Sequence, residues 1–146
     1  MTMDLLPTIA KLAGTNAPAD RIIDGRDIWP LMTAQPGAKT PHEAYYYYWA
    51  QGLEAVRSGP WKLHFAHDYA HLDVPGGGGL PGKYTRPKIT GALYNLEKDI
   101  SEQHDVAAQH PDVVARLQVL AEQARADLGD SLTKRKGTNV RAAGKL

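Results

Sequence analysis

The sequence predicts an α+β fold, a small four-stranded antiparallel sheet packed with a C-terminal helix and preceded by a shorter helix. Three observations carry this prediction. Residues 111–128 repeat apolar side chains at three- and four-residue spacing. From residue 45 the period changes to short aromatic and branched runs separated by a tight turn. The 146 residues are 42% hydrophobic and 23% charged, a globular composition in a chain long enough to bury a core.

The elements follow in chain order. Asp4 can cap a helix in which Pro7 falls in the first turn, and Leu5, Ile9 and Leu12 recur at helical spacing before Gly14 ends it. This short apolar helix needs a surface to pack on. Asp24-Gly25 marks a turn, and residues 27–32 read as a helical turn with Trp29 and Leu31 inward. Residues 45–49 are aromatic throughout and predict a strand, with Tyr45, Tyr47 and Trp49 on one face and Tyr46 and Tyr48 on the other. Residues 53–57 and 61–65 form a hairpin about Ser58-Gly59-Pro60, placing Trp61, Leu63 and Phe65 opposite Lys62 and His64. Residues 66–91, with three prolines and the run Gly76–Gly79, read as one long loop. Residues 92–96 are a fourth strand. Pro111 and Asp112 suit the start of the long helix, in which Val114, Leu117, Ala121, Ala124 and Leu128 share a face, and Gly129 ends it.

Net charge is +1, unevenly spread. Lys134, Arg135, Lys136, Arg141 and Lys145 lie beyond Leu132 with no acid among them, leaving 12 bases against 16 acids over residues 1–132. An acidic body excludes nucleic-acid binding on charge grounds, and the basic, apolar-poor residues 133–146 read as a disordered tail. No apolar run approaches the ~20 residues of a membrane span, and residues 1–146 contain no signal-peptide pattern. Without cysteine there is no disulfide, thiolate site or thiol nucleophile.

Six histidines are the other chemical resource. His64, His67 and His71, with Asp68 and Asp73 beside them, have ligand types that hold zinc, but the stretch leaves a strand for a loop and lacks the helical HExxH spacing. No metal site is predicted there. One or two of these imidazoles facing a neighbouring site, in contact with an anionic substrate, is the functional reading. None of Ser58, Ser101 and Ser131 sits in a G-x-S-x-G elbow. Gly76–Gly79 is followed by neither Lys-Ser/Thr nor a helix, so it is no P-loop. No catalytic residue is assigned.

Four phrases resemble the C-terminal part of the sulfatase family, the arylsulfatase-type enzymes. They are Asp4 to Gly14 (DLLPTIAKLAG), Ile23 to Leu31 (IDGRDIWPL), Ala55 to His64 (AVRSGPWKLH) and Leu93 to Asp99 (LYNLEKD) continuing to Glu102 and Asp105. Their order matches from Asp4 to about Leu128; Ile100 stands where the family often has Pro, and Asp105 where it often has Asn. The resemblance implies that residues 1–40 are the end of a large α/β domain, including the short first helix, that 41–132 are the C-terminal subdomain, and that 133–146 are the tail. It implies a sulfuric ester hydrolase in which formylglycine, made from Cys or Ser in C/S-x-P-x-R, and calcium belong to an N-terminal catalytic domain, this chain's expected partner. This chain has no cysteine, and none of its serines begins S-x-P-x-R. It is therefore expected to be the tail of a longer enzyme, not competent for hydrolysis alone, giving structure and part of the pocket rim for a sulfate-ester substrate. The loop after the Trp-Lys strand returns toward the active-site mouth in this family. By position His71, and next His67, are the expected substrate-binding residues. The alternative expectation is a stand-alone binding domain with an orphaned sulfatase-tail fold.

Overall fold

The computed structural model describes residues 1–141, which fall into two compact units, 1–43 with Arg141, and 44–140. Residues 142–146 of the basic tail lie outside the described residues.

In the first unit a 3₁₀ turn, Thr2–Asp4, leads into α1 (Leu5–Leu12), and α2 (Trp29–Met32) follows a long connection. Asp4 does not cap α1 through its side chain. Its buried carboxylate instead accepts from the Arg26 amide at 2.8 Å and lies 2.7 Å from His42 Nε2. Two long-range partners outcompete a local cap because a buried carboxylate needs its oxygens satisfied. The Thr8 hydroxyl donates to the Asp4 carbonyl and accepts from the Ile28 amide. Gly25 is required here, since a Cβ at this residue would lie 2.0 Å from the Met3 carbonyl oxygen. Lys11 pairs with Asp27 at 2.6 Å, and Arg141 with Asp24 at 2.5 Å. Leu5, Leu6, Ile9 and Leu12 remain exposed; of the α1 residues only Thr8 is buried.

The second unit is built on a four-stranded sheet, antiparallel throughout, whose strands neighbour one another in chain order. Its strands are β1 (Tyr45–Trp49), β2 (Gly52–Ser58), β3 (Trp61–His64) and, beyond an insertion, β8 (Ala92–Asn95). Tyr46, Val56, Leu63 and Leu93 stand in register across the sheet, next to the row Tyr47, Ala55, His64 and Ala92. The first of these rows faces α3 (Pro111–Leu128). Leu63, Leu93 and Leu117 form one buried cluster, flanked by Trp61 and Val114. Leu53, Val56, Leu120, Ala121 and Ala124 form a second, flanked by Tyr46 and Tyr48, and Phe65 touches both. The expected face Trp61, Leu63 and Phe65 thus meets the helix, while Ala121 and Ala124 pack mainly on β2. The Asp105 carboxylate accepts from the Leu93 amide, and the Val106 amide donates back to Leu93, which covers the β8 edge.

Trp29 and Leu31, expected inward, are exposed on a single helical turn that buries no residue, and two further segments differ from the sequence reading. The insertion between β3 and β8 is a ribbon: β4 (His67–Asp68) pairs with β7 (Lys88–Ile89), and β5 (His71–Val74) with β6 (Lys83–Thr85). Strands of two to four residues, mostly exposed on both faces, carry no hydrophobic alternation to read. Of the glycines in its tip only Gly76 is tightly packed: a Cβ there would lie 2.4 Å from the Leu80 carbonyl oxygen, whereas Gly77, Gly78 and Gly79 have open space at that position. Within the basic tail, β10 (Arg135–Lys136) pairs with β9 (Gly129–Asp130), and the Thr138 and Asn139 amides donate to the Ala126 and Asp127 carbonyls. The buried Asp130 holds this end together, accepting from Arg125 Nε at 2.8 Å and from the Leu53 and Leu132 amides. Among the described residues no helix is long and apolar enough to cross a membrane.

Leu117 is fully buried where α3 meets β3 and β8. Leu117→Ala should cost about 2–5 kcal/mol in denaturant melts of the chain, the range for a leucine truncated in a packed core. A loss below about 0.5 kcal/mol, the level of an exposed substitution, would place the helix elsewhere.

Candidate functional site

Because Leu63 points into the core, Lys62 and His64 point to the opposite face of β3. There they meet Glu102. One carboxylate oxygen lies 2.7 Å from Lys62 Nζ, the other 2.8 Å from His64 Nε2. Glu102 sits in the turn after β8 with φ of 55°, a left-handed conformation seldom adopted by residues other than glycine. Asp99 holds that turn: its carboxylate accepts from the Gln103 and His104 amides, and its carbonyl from the Glu102 amide. Lys62 Nζ also stands 4.7 Å from the centre of the Tyr47 ring.

The charges are tuned by this arrangement. Burial pushes the Glu102 carboxyl up, but Lys62 and His64 more than offset it and hold it below its usual range. Burial, and then the Lys62 charge, lower the proton affinity of His64 despite Glu102. An ionised carboxylate only accepts, so His64 donates from Nε2 and keeps its lone pair on Nδ1. That nitrogen is buried and has no hydrogen-bond partner among the described residues.

The ribbon adds the other wall. His67, at the start of β4, stacks on His64 with ring centres 5.6 Å apart. Its Nδ1 donates to the Phe65 carbonyl at 2.8 Å, and its Nε2 lies 3.8 Å from a Glu54 carboxylate oxygen. Tyr94 presents its edge to His64 at 5.7 Å. Burial, and then the carboxylates of Asp105, Glu102 and Asp99, hold its phenol above the usual range. A cavity of about 540 Å³ opens between these groups and the ribbon. Its inner lining is His64, His67, Tyr94 and Glu102, and its outer lining includes Tyr69, His71, Lys88 and Gln103. The volume lies within the ~300–1,000 Å³ of small-molecule sites.

The two histidines singled out from the sequence therefore line one cavity at different depths. The His67 side chain is 5% exposed, whereas that of His71 is 58% exposed at the mouth, 3.9 Å from Asp73. His64, the third imidazole of the sequence cluster, lines the cavity with them, whereas nothing in the sequence singles out Lys62, Glu102 and Tyr94 as site residues. Strand alternation already put Lys62 and His64 on one face; the left-handed turn that returns Glu102 to them has no glycine to announce it. Among the described residues no group of three or more His, Asp or Glu side chains is placed to hold a metal ion.

The sequence profile described as the C-terminal region of aryl-sulfatase matches residues 40–143. The chain belongs to the sulfatase family. It is 31% identical over 143 residues to an arylsulfatase of Hemicentrotus pulcherrimus, covering 87% of this chain and 26% of that one. It is 33% identical over 137 residues to human steryl-sulfatase, covering 84% and 23% respectively. A solved structure from work on the metabolism of multiple glycosaminoglycans by Bacteroides thetaiotaomicron superposes with a TM-score of 0.56 and 25% identity, over 84% of this chain and 24% of that one. The chain thus spans about a quarter of the length of these relatives. This sulfatase region corresponds to their C-terminal part, and the α+β architecture agrees with it.

The Lys62–Glu102–His64 group gives the sulfatase region a dependence on pH. Both shifted groups hold fewer protons folded than unfolded. Their stabilisation is complete above their unfolded pKa values and is lost as pH falls toward the folded ones. The unfolding midpoint in urea should therefore drop as pH falls below 6.5, the ordinary value for His64, and again below 4.5, that for Glu102. In His64→Gln the amide can still donate to Glu102, and the first drop should shrink while the second persists. An unchanged profile above pH 5 would mean His64 titrates as it does unfolded.

Proposed function

We propose that this sulfatase region supplies structure and part of the substrate-pocket rim to a sulfuric ester hydrolase whose reacting groups lie in a preceding catalytic portion. The carrying observation is the cavity, which His71 and the buried His67 line together with His64, Tyr94 and Glu102. Leu5, Leu6, Ile9 and Leu12, exposed along α1, support a larger protein, because a helix this short gains its stability by burying such a face. Residues 1–40 are then the end of the catalytic domain, 41–132 the C-terminal subdomain, and 133–146 the tail.

Hydrolysis of a sulfate ester needs an activated nucleophile and a cation that offsets developing charge. This chain's residues do not fit those groups: it has no cysteine, no serine followed by x-P-x-R, and, among the described residues, no set of three metal-ligating side chains. Formylglycine and calcium are assigned to the catalytic portion. What this chain offers is binding and orientation. His67 is fixed by its bond to the Phe65 carbonyl and shapes the floor. His71, exposed at the mouth, donates to the substrate or steadies the leaving oxygen. One relative is a steryl-sulfatase and one solved structure comes from work on glycosaminoglycan metabolism, so the alcohol half of the ester is left open.

The purified chain should not turn over an aryl sulfate in the presence of calcium. Mixing it with a separately expressed N-terminal sulfatase portion should restore activity, and His71→Ala should lower kcat/KM of the mixture about 10²-fold, the lower end for a positioned proton donor, without loss of assembly. Turnover by the chain alone, free of contaminating enzyme, would overturn the proposal.

A further inference from the structure

The ribbon is fastened to the sheet at few points. Between residues 66 and 91 no residue is fully buried, and only His67, Gly82, Pro87 and Ile89 are partly covered. His67 and Ile89 face each other in the two-residue pairing of β4 with β7. The base of the ribbon is closed further by the Tyr69 amide, which donates to the Pro87 carbonyl at 3.1 Å. Asp68 and Lys88 stand 4.0 Å apart, but both are exposed, and such a pair adds little. The polar anchor is His67, whose side chain is almost wholly covered.

His67 rests on His64, the two ring planes lying within 15° of parallel. Neutral imidazoles tolerate that contact; two cations would repel across it. Because Glu102 keeps the first proton of His64 on Nε2, a second must go to Nδ1, which is buried and has no acceptor among the described residues. The groups that face the ring are Lys62 beside it on β3, Glu102 from the turn, His67 from the ribbon and Tyr94 from β8, with Glu54 of β2 reaching the far nitrogen of His67. Glu102 is the one carboxylate in direct contact, and its two oxygens are already engaged by Lys62 Nζ and His64 Nε2. A proton on Nδ1 therefore arrives beside one cation with no acceptor, whereas a ring turned out to water finds one at once. The closed ring resists that proton, since burial and then the Lys62 charge lower its affinity. Closure is thus fully favoured above 6.5, the ordinary value for His64, and weakens as pH falls toward the closed-state value.

We propose that His64 is a proton-operated latch on the ribbon: a proton on its Nδ1 breaks the stack with His67 and frees β4 and β7, and with them the cavity wall of Tyr69, His71 and Lys88, while the sheet stays folded. Opening is local because Leu63, Leu93 and Leu117 hold β3 and β8 from the other face. The latch is independent of the rim assignment, since every group it uses lies in this chain. The test is amide hydrogen exchange of the 146-residue chain, followed by NMR from about pH 8 to about pH 5, the range in which imidazoles titrate. Rates are corrected for the intrinsic pH dependence of exchange, and the His64 ring nitrogens are observed in the same samples. Protection of the Tyr69 amide should fall about tenfold per pH unit once His64 Nδ1 gains its proton, the slope for one proton per opening. Amides of β2 and β3 should keep their protection over the same range. In His64→Gln, whose side-chain amide still donates to Glu102 but takes up no proton, Tyr69 protection should stay level. Where that variant does not fold, agreement between the His64 midpoint and the onset of Tyr69 exchange decides in the unaltered chain. A Tyr69 amide already unprotected at the alkaline end, or level protection through the His64 titration, would overturn the latch. So would a fall that persists in His64→Gln, or one shared by β2 and β3.

Discussion

The contact of Leu117 with Leu63 and Leu93 is the constraint from which the site follows. It commits one face of β3 to the core, and a strand alternates strictly, so Lys62 and His64 have one direction left. A register slip by a single residue would bury Lys62 and His64 against α3 and expose Leu63. The apolar cluster thus sets the electrostatics of the far side of the sheet without touching it.

On that far side the bridge from Glu102 to Lys62 and His64 joins three parts of the chain: the third strand, the turn after the last strand, and the ribbon that stacks His67 on His64. Each partner offsets the desolvation of another, which is the condition for ionised groups to persist under cover. Asp130 performs the comparable task at the end of α3, where its carboxylate ties Arg125 to the amides of Leu53 and Leu132. Both knots connect segments distant in sequence through a carboxylate with every oxygen engaged.

Strong periodicity made the sheet and the long helix legible before any coordinates. Pro111, the spacing of Leu117, Ala121 and Ala124, and Gly129 define α3 over the same residues the structure gives it. The turn at Ser58-Gly59-Pro60 likewise locates the hairpin. What stayed hidden has no local signature. The ribbon strands bury too little to alternate, Asp4 forsakes its cap for His42 and the Arg26 amide, and Glu102 is brought back by a backbone conformation that its side chain does not advertise. His67 and His71 were legible by composition and resemblance, whereas their separation into floor and mouth depends on pairings within the ribbon.

Residues 66–91 leave the sheet after Phe65, which still packs on the core, and re-enter at Ala92, the cross-strand neighbour of His64. The whole ribbon is therefore an excursion whose ends already meet, and its length or composition can change without moving a strand of the platform beneath it. Such an arrangement separates two kinds of evolutionary change. The platform is held by packing and tolerates little, while the ribbon can be lengthened, shortened or exchanged as a cassette. For protein engineering, His64 and Ala92 are the natural graft points at which one relative's pocket wall could be transplanted onto another's sheet.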